Sequence, residues 1–409
     1  MNMPNAIPEE ELSKIMPDLP GPDPALHPCS IPGNGQAKRI IPVADVLVNG
    51  HEKAYVCDCM DRGWISSAGK YVKDFESSFS GAVGCREGVS CSSGTAALHL
   101  ALAATGIGPG DEVILPAFTM IATANAIAYT GATAKAVDSE PATGNIDVSG
   151  IEKQITSSTK AIMPVHVYGH PAEMNAINSL ASKYEIRVIE DAAEAHGALY
   201  EGRPCGSLGH AACFSFYANK IITTGEGGMV TSNDSEWMER ARYLRDHAFS
   251  PERHFWHHDV GFNYRMTNLQ AAVGLGQTER LGSLVKRRRH HADLYHMQLV
   301  GIPGLHTPVE YPNARSVYWM YGIRLEPPFP LTRNQLRARL AEHGIETRTF
   351  FVPLHYQPAW FSRFQGQRFP VAERLCRTGM YLPSGPSLKD EEIEYICKII
   401  KKLAEEKAG

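Results

Sequence analysis

Lys220 is the residue of this chain best placed to do covalent chemistry. It follows Cys213-Phe214-Ser215-Phe216-Tyr217-Ala218-Asn219 and precedes Ile221-Ile222-Thr223-Thr224-Gly225-Glu226-Gly227-Gly228, with the Ser215 hydroxyl five residues before it. An apolar strand running into Gly-Glu-Gly-Gly buries an amine and lets backbone approach a ligand closely. Partial desolvation lowers a lysine's pKa and makes it a nucleophile toward aldehydes. Most lysines are solvated surface groups, so this reading needs a second element.

That element is Ile186-Arg187-Val188-Ile189-Glu190-Asp191-Ala192-Ala193-Glu194-Ala195-His196-Gly197, an apolar strand ending in an acidic pair. Ligands of open α/β sheets bind at the carboxyl ends of strands, where this pair sits. An imine-forming lysine and an aspartate that keeps a pyridine nitrogen protonated are the two protein groups pyridoxal phosphate (PLP) needs to act as an electron sink. A third segment, Ser90-Cys91-Ser92-Ser93-Gly94-Thr95-Ala96-Ala97-Leu98-His99-Leu100, is a small-residue turn opening an apolar helix. Such a helix start offers free N–H groups and a positive dipole end to a phosphate.

From about Ile41 to the C-terminus these motifs resemble the DegT/DnrJ/EryC1/StrS family of sugar aminotransferases, PLP enzymes of fold type I. The resemblance implies that Gly94 and Thr95 hold the cofactor phosphate, joined by Ser215, and that Asp191 pairs with the pyridine nitrogen. It implies an aromatic stacked on the ring, for which Phe118 in Pro116-Ala117-Phe118-Thr119 is the candidate. Where the family more commonly carries glutamine, this chain has Glu194, a second carboxyl near the ring. Related sugar dehydratases carry histidine where Lys220 stands, so the lysine favours transamination over loss of a hydroxyl.

Gly261-Phe262-Asn263-Tyr264-Arg265-Met266-Thr267-Asn268 matches a further signature, in which the asparagine reaches the phosphate of a neighbouring subunit. Asn263 takes that part here and implies at least a homodimer. On the substrate side the resemblance points to Trp64 and Ser66 in Gly63-Trp64-Ile65-Ser66-Ser67-Ala68-Gly69, to Arg348 and His355 in Arg348-Thr349-Phe350-Phe351-Val352-Pro353-Leu354-His355, and to His166. For His166, and for His196 in its turn, a structural role is the first reading. Tyr243-Leu244-Arg245-Asp246-His247 and Arg253-His254-Phe255-Trp256-His257 add cations suited to a diphosphate and aromatics suited to a base or sugar.

The implied reaction moves nitrogen from glutamate to a nucleotide-linked 4-keto-6-deoxy sugar, first among them GDP-4-keto-6-deoxymannose. A UDP- or dTDP-linked keto sugar, or an ulosonic acid, is the alternative acceptor. A non-catalytic binder on the same fold is the reading from another class, and the intact Lys220, Asp191, Ser215 and Asn263 speak against it.

The elements that must position these groups follow from the pattern of the chain. At 409 residues, with 43% hydrophobic and 21% charged residues, it can bury a sizeable core. A net charge of −4 argues against nucleic-acid binding, and no apolar run approaches the ~20 residues that span a bilayer. Nine scattered cysteines suggest neither a disulfide framework nor a metal site, so a cytoplasmic setting with reduced thiols is expected.

Residues 1–38 carry eight prolines and read as a surface extension with at most a short helix over 9–16. Strands at 112–115 and 161–165 alternate with helix-like stretches such as 172–184, which predicts a mostly parallel sheet between helices over 39–281. A smaller α+β unit is expected over 282–409, with a basic helix at 286–299, a strand at 317–325 and helices near 332–343 and 389–408. The run Lys286-Arg287-Arg288-Arg289-His290-His291 reads as a solvated helix face.

Overall fold

The computed structural model describes residues 40–253 and 255–405; the proline-rich segment 1–38, its short helix and His254 lie outside the described residues. The chain builds a seven-stranded sheet from β1 (Glu87–Cys91), β2 (Glu112–Pro116), β3 (Thr133–Val137), β4 (Thr159–Ile162), β5 (Arg187–Asp191), β8 (Ala211–Ser215) and β9 (Gly228–Ser232). Between β5 and β8 lie two short strands, β6 (Leu199–Tyr200) and β7 (Arg203–Pro204). The sheet order is β1-β9-β8-β5-β4-β2-β3. β8, β5, β4, β2 and β3 pair in parallel, and β9 runs antiparallel to both β8 and β1. This is the expected mostly parallel sheet.

Its strands read as apolar runs because both faces are covered. Helices Lys70–Ala82, Gly94–Ala104 and Ile121–Tyr129 are among those that alternate with the strands along the chain. On one side Phe79 meets Phe214 and Phe216 edge-on, with ring centres 4.8 and 5.0 Å away, and Phe75 meets Phe216 at 5.0 Å. All four rings are fully buried. Helix starts are pinned by side chains: Ser93 Oγ accepts the Ala96 N–H, and Thr267 forms a capping box with Gln270.

A second sheet contains β10 (Leu305–His306), β12 (Tyr321–Leu325), β13 (Arg348–Thr349) and β14 (Gly379–Leu382), in the order β10-β12-β14-β13 and antiparallel throughout. β11 (Ala314–Arg315) instead pairs with β6. Helices Leu281–Leu299, Arg333–Glu342 and Asp390–Ala404 cover the second sheet around a separate core that includes Tyr295, Ile323, Leu336 and Ile396. Ile41 joins this core from the other end of the chain, donating its N–H to the Gly344 carbonyl and accepting from Glu346.

Two expectations change at this point. The basic helix starts at Leu281, and its helical period turns Arg288 and His291 inward. Arg288 is 1% exposed and donates to the carbonyls of Trp319 and Ser384, so the run is a solvated face only in part. The strand expected over 317–325 begins at Tyr321, because Val317 gives its N–H to the Gly169 carbonyl and Tyr318 takes a positive φ of 45°. Among the described residues no helix is long and apolar enough to cross a membrane.

Replacing Phe79 with alanine empties the centre of the aromatic cluster and is expected to cost about 3–5 kcal/mol of unfolding free energy. Chemical denaturation of the purified variant checks this; a loss under about 1 kcal/mol would show that the cluster closes over the gap.

Candidate active site

Three strand ends of the large sheet converge. β1 runs into the turn before the helix at Gly94, β5 ends at Asp191, and β8 ends at Ser215. A Cβ at Gly94 would lie 2.6 Å from the Ser215 Cβ, and one at Gly228 would collide with the Ser93 carbonyl. These contacts admit only glycine and bring the Ser215 side chain against the first turn of the helix. The N–H groups of such a turn have no partner inside the helix.

The acidic pair on β5 divides in two, because successive side chains of a strand point to opposite faces. Glu190 turns inward and accepts the N–H groups of Gly206, Leu208 and Gly209 at 2.9, 2.8 and 2.7 Å. His166 Nδ1 accepts the Ala172 N–H, so its ring proton sits on Nε2 and is donated to Glu190 at 2.9 Å. His166 is fully buried in this arrangement and cannot face a substrate. Cys205 lies beside the pair, but these four hydrogen bonds already fill the carboxylate.

Asp191 points into the site. Its Oδ2 accepts the Thr123 hydroxyl at 2.7 Å and its Oδ1 the Ala193 N–H at 3.2 Å. Burial raises the Asp191 pKa, and the Thr123 hydrogen bond works against that rise.

Lys220 lies near this carboxylate, its side chain 10% exposed. Its Nζ is 3.8 Å from Glu194 Oε1 and 3.8 Å from the centre of the Trp319 ring. Burial lowers the lysine pKa, and the charges of Glu194 and Asp191 partly restore it. Glu194 is itself buried, accepts the Tyr168 N–H at 2.7 Å, and is pushed up by burial to about 7 against the pull of Lys220. The extra carboxyl read from the sequence therefore faces the lysine amine.

Other expected residues fall elsewhere. Phe118 is 1% exposed, packed among Tyr168, Phe350 and Phe351, and offers no free face for stacking. The exposed side chain of its turn is Met120, at 50%. His355 is buried and tied to Glu373 at 3.2 Å, while Arg348 is half-buried and pairs with Glu346 at 2.8 Å. Burial of His355 again gives a structural position where a substrate contact was expected. The segment around it nonetheless reaches the site's edge, since Leu354 donates to the Ala117 carbonyl and Phe351 to the Tyr168 hydroxyl.

Asn263 is exposed, one residue from Tyr264, whose carbonyl accepts the Ser92 N–H. Trp64, 56% exposed, and Ser66 hold their carbonyls against Asn268. Sequence reasoning missed Thr123 and Trp319. The first stands four residues after the quoted Thr119, at helical spacing. The second approaches from about a hundred residues away and leaves no local signal.

A carboxyl held at about 7 in the folded chain, against 4.5 when unperturbed, binds its proton more tightly when folded. The stability it contributes is complete below about pH 4.5 and is lost as pH rises through 7. Glu194→Gln removes this titration, so cofactor-free protein should lose less stability than wild type between about pH 5 and about pH 7.5. Denaturant midpoints at the two pH values test this; equal losses would show that Glu194 is not the titrating group.

Comparison with known proteins agrees with the geometry. Residues 48–401 match the DegT/DnrJ/EryC1/StrS aminotransferase family. The GDP-perosamine synthase of Caulobacter vibrioides is 44% identical over 364 residues, which is 89% of this chain and 98% of that protein. That of Escherichia coli O157:H7 is 43% identical over 369 residues, 90% of this chain and 100% of the other. A Streptococcus pneumoniae structure solved in a PLP form superposes with a TM-score of 0.85 at 30% identity, over 90% of this chain and 99% of that one. With a lysine, an aspartate and a helix start gathered at the edge of a fold type I sheet, the chain belongs to the DegT/DnrJ/EryC1/StrS family and is a PLP-dependent sugar aminotransferase.

Proposed function

We propose that this enzyme transfers the amino group of glutamate to GDP-4-keto-6-deoxymannose, forming GDP-perosamine. The observation that carries this reading is the 43–44% identity to two GDP-perosamine synthases along almost their whole length. The buried Lys220–Glu194–Asp191 group and the closed Gly94–Ser215 contact fit the cofactor's aldehyde, pyridine nitrogen and phosphate. Bound there, PLP would supply a carbonyl carbon that carries the amino group and a ring that serves as electron sink for the carbon losing its proton.

The chain's own groups divide the remaining work. The N–H groups at Gly94 and Thr95, with the Ser215 hydroxyl, would hold the phosphate at the positive end of the helix. Asp191, held by Thr123, would keep a proton on the ring nitrogen. Lys220 Nζ would hold the cofactor at its aldehyde carbon. Its amine, when free, would take up and return the proton at the substrate carbon.

Asn263 is exposed, and Trp64 and Ser66 are exposed beside the Asn268 helix that follows it. We place the sugar-nucleotide mouth there, completed in a homodimer. Phe255 and Trp256, 73% and 51% exposed, offer faces for a base, and Arg253 lies 5.2 Å over Trp256. In this arrangement residues 39–281 supply the cofactor site, and 282–409 close it through Trp319.

The test is spectral. The protein is converted to its amino form with glutamate, freed of glutamate, and mixed separately with GDP-, UDP- and dTDP-linked 4-keto-6-deoxy sugars. Return of the yellow absorbance with the GDP sugar alone is the expected result. Return with another nucleotide keeps the chemistry and overturns the acceptor, and silence toward glutamate overturns the donor. Lys220→Ala should lose at least about a thousandfold in turnover, as removal of a covalent nucleophile does.

A further inference from the structure

The Trp319 ring lies against the reactive amine, its centre 3.8 Å from Lys220 Nζ. We propose that the Trp319 ring is the docking place of the free Lys220 ammonium, with Glu194 as its counter-charge, making Trp319 a positioning residue for the lysine. The inference rests on reading Lys220 as the residue that bonds the cofactor.

Three observations support it. The indole face lies 3.8 Å from Nζ, a distance at which an ammonium is attracted to the ring quadrupole. The ring is 4% exposed, so water does not weaken that attraction. It is also held from two directions: its Nε1–H donates to the Asn219 carbonyl at 2.8 Å, and its own carbonyl accepts from Arg288 at 2.8 Å. Asn219 immediately precedes Lys220, so the same indole clamps the backbone of the lysine whose amine it faces.

A displaced lysine has four rotatable bonds and would otherwise sample many positions. The ring and Glu194 Oε1, each 3.8 Å from Nζ, define one position next to the reacting centre. Docking is selective for charge, because the quadrupole attracts the ammonium and not the neutral amine. A lysine that has just taken up a proton is held, and one that has given it away is released.

The charged groups around Nζ are Glu194 and Asp191, which favour the ammonium, and Arg288 behind the Trp319 carbonyl, which disfavours it. The buried His196 ring lies in an apolar setting of Phe79, Phe214 and Phe216, where burial keeps it neutral.

The test follows recombination of the full-length, cofactor-free chain with PLP by the growth of yellow absorbance across pH. The midpoint of that rate profile reports the Lys220 amine together with Glu194, which lies against it. Trp319→Leu removes the ring and should lower the midpoint by about one pH unit. Trp319→Phe keeps a smaller aromatic face, loses the N–H with the pyrrole ring, and should bring it part of the way back. A merely structural role would lower the thermal midpoint of both variants without moving the pH profile.

An unchanged or raised profile in folded Trp319→Leu overturns the proposal. Absence of any yellow colour in the wild-type protein overturns instead the cofactor reading beneath it. If Trp319→Leu does not fold, the wild-type chain is labelled with 5-fluorotryptophan and the Trp319 resonance is assigned with Trp319→Phe. That resonance should titrate with the Lys220 midpoint and stand still in Lys220→Met; a resonance that ignores Lys220 is the overturning result.

Discussion

An amine taken out of water needs something to offset the solvation it loses, and the carboxyl edge of the large sheet is arranged around that need at Lys220. Burial makes Nζ a usable nucleophile, while Glu194 at 3.8 Å and Asp191 beyond it keep the charged form within reach. Neither force alone would serve. Without burial the lysine would be an inert surface ammonium, and without the carboxyls it would stay neutral and could not return a proton.

The sheet order explains how one chain brings these groups together. β5 and β8 are parallel neighbours, so Asp191 and Ser215 arrive at the same edge, and β9 returns between β8 and β1 with Gly228 beside Ser93. The fully buried Glu190 then does a different task from its neighbour. Its four hydrogen bonds tie the end of β5 to residues 206–209 and to His166, which fixes the strand end where Asp191 must stand.

The second sheet takes part in the site, although its core is separate. Trp319 leads into β12, and Phe350 and Phe351 follow β13 into the cluster around Tyr168 and Phe118. Tyr168 in turn donates its N–H to Glu194. A shift of the second sheet would therefore reach the lysine along two short chains of contact, one through Trp319 and one through Tyr168.

The sequence by itself determined the chemistry at each local motif: an apolar strand before Lys220, an acidic strand end at Asp191, and a small-residue turn at Gly94. Strand–turn–helix pattern is a property of neighbours along the chain, so these elements and the parallel sheet were legible. Facing direction and long-range pairing were left to the tertiary structure. It buried Phe118, His166 and His355, turned Arg288 inward from a run that looked solvated, and brought Trp319 to an amine about a hundred residues away. The reason is physical: a pattern of residue types records which side chains prefer burial. Which partner each one meets there depends on the crossing of strands and the packing of the two sheets.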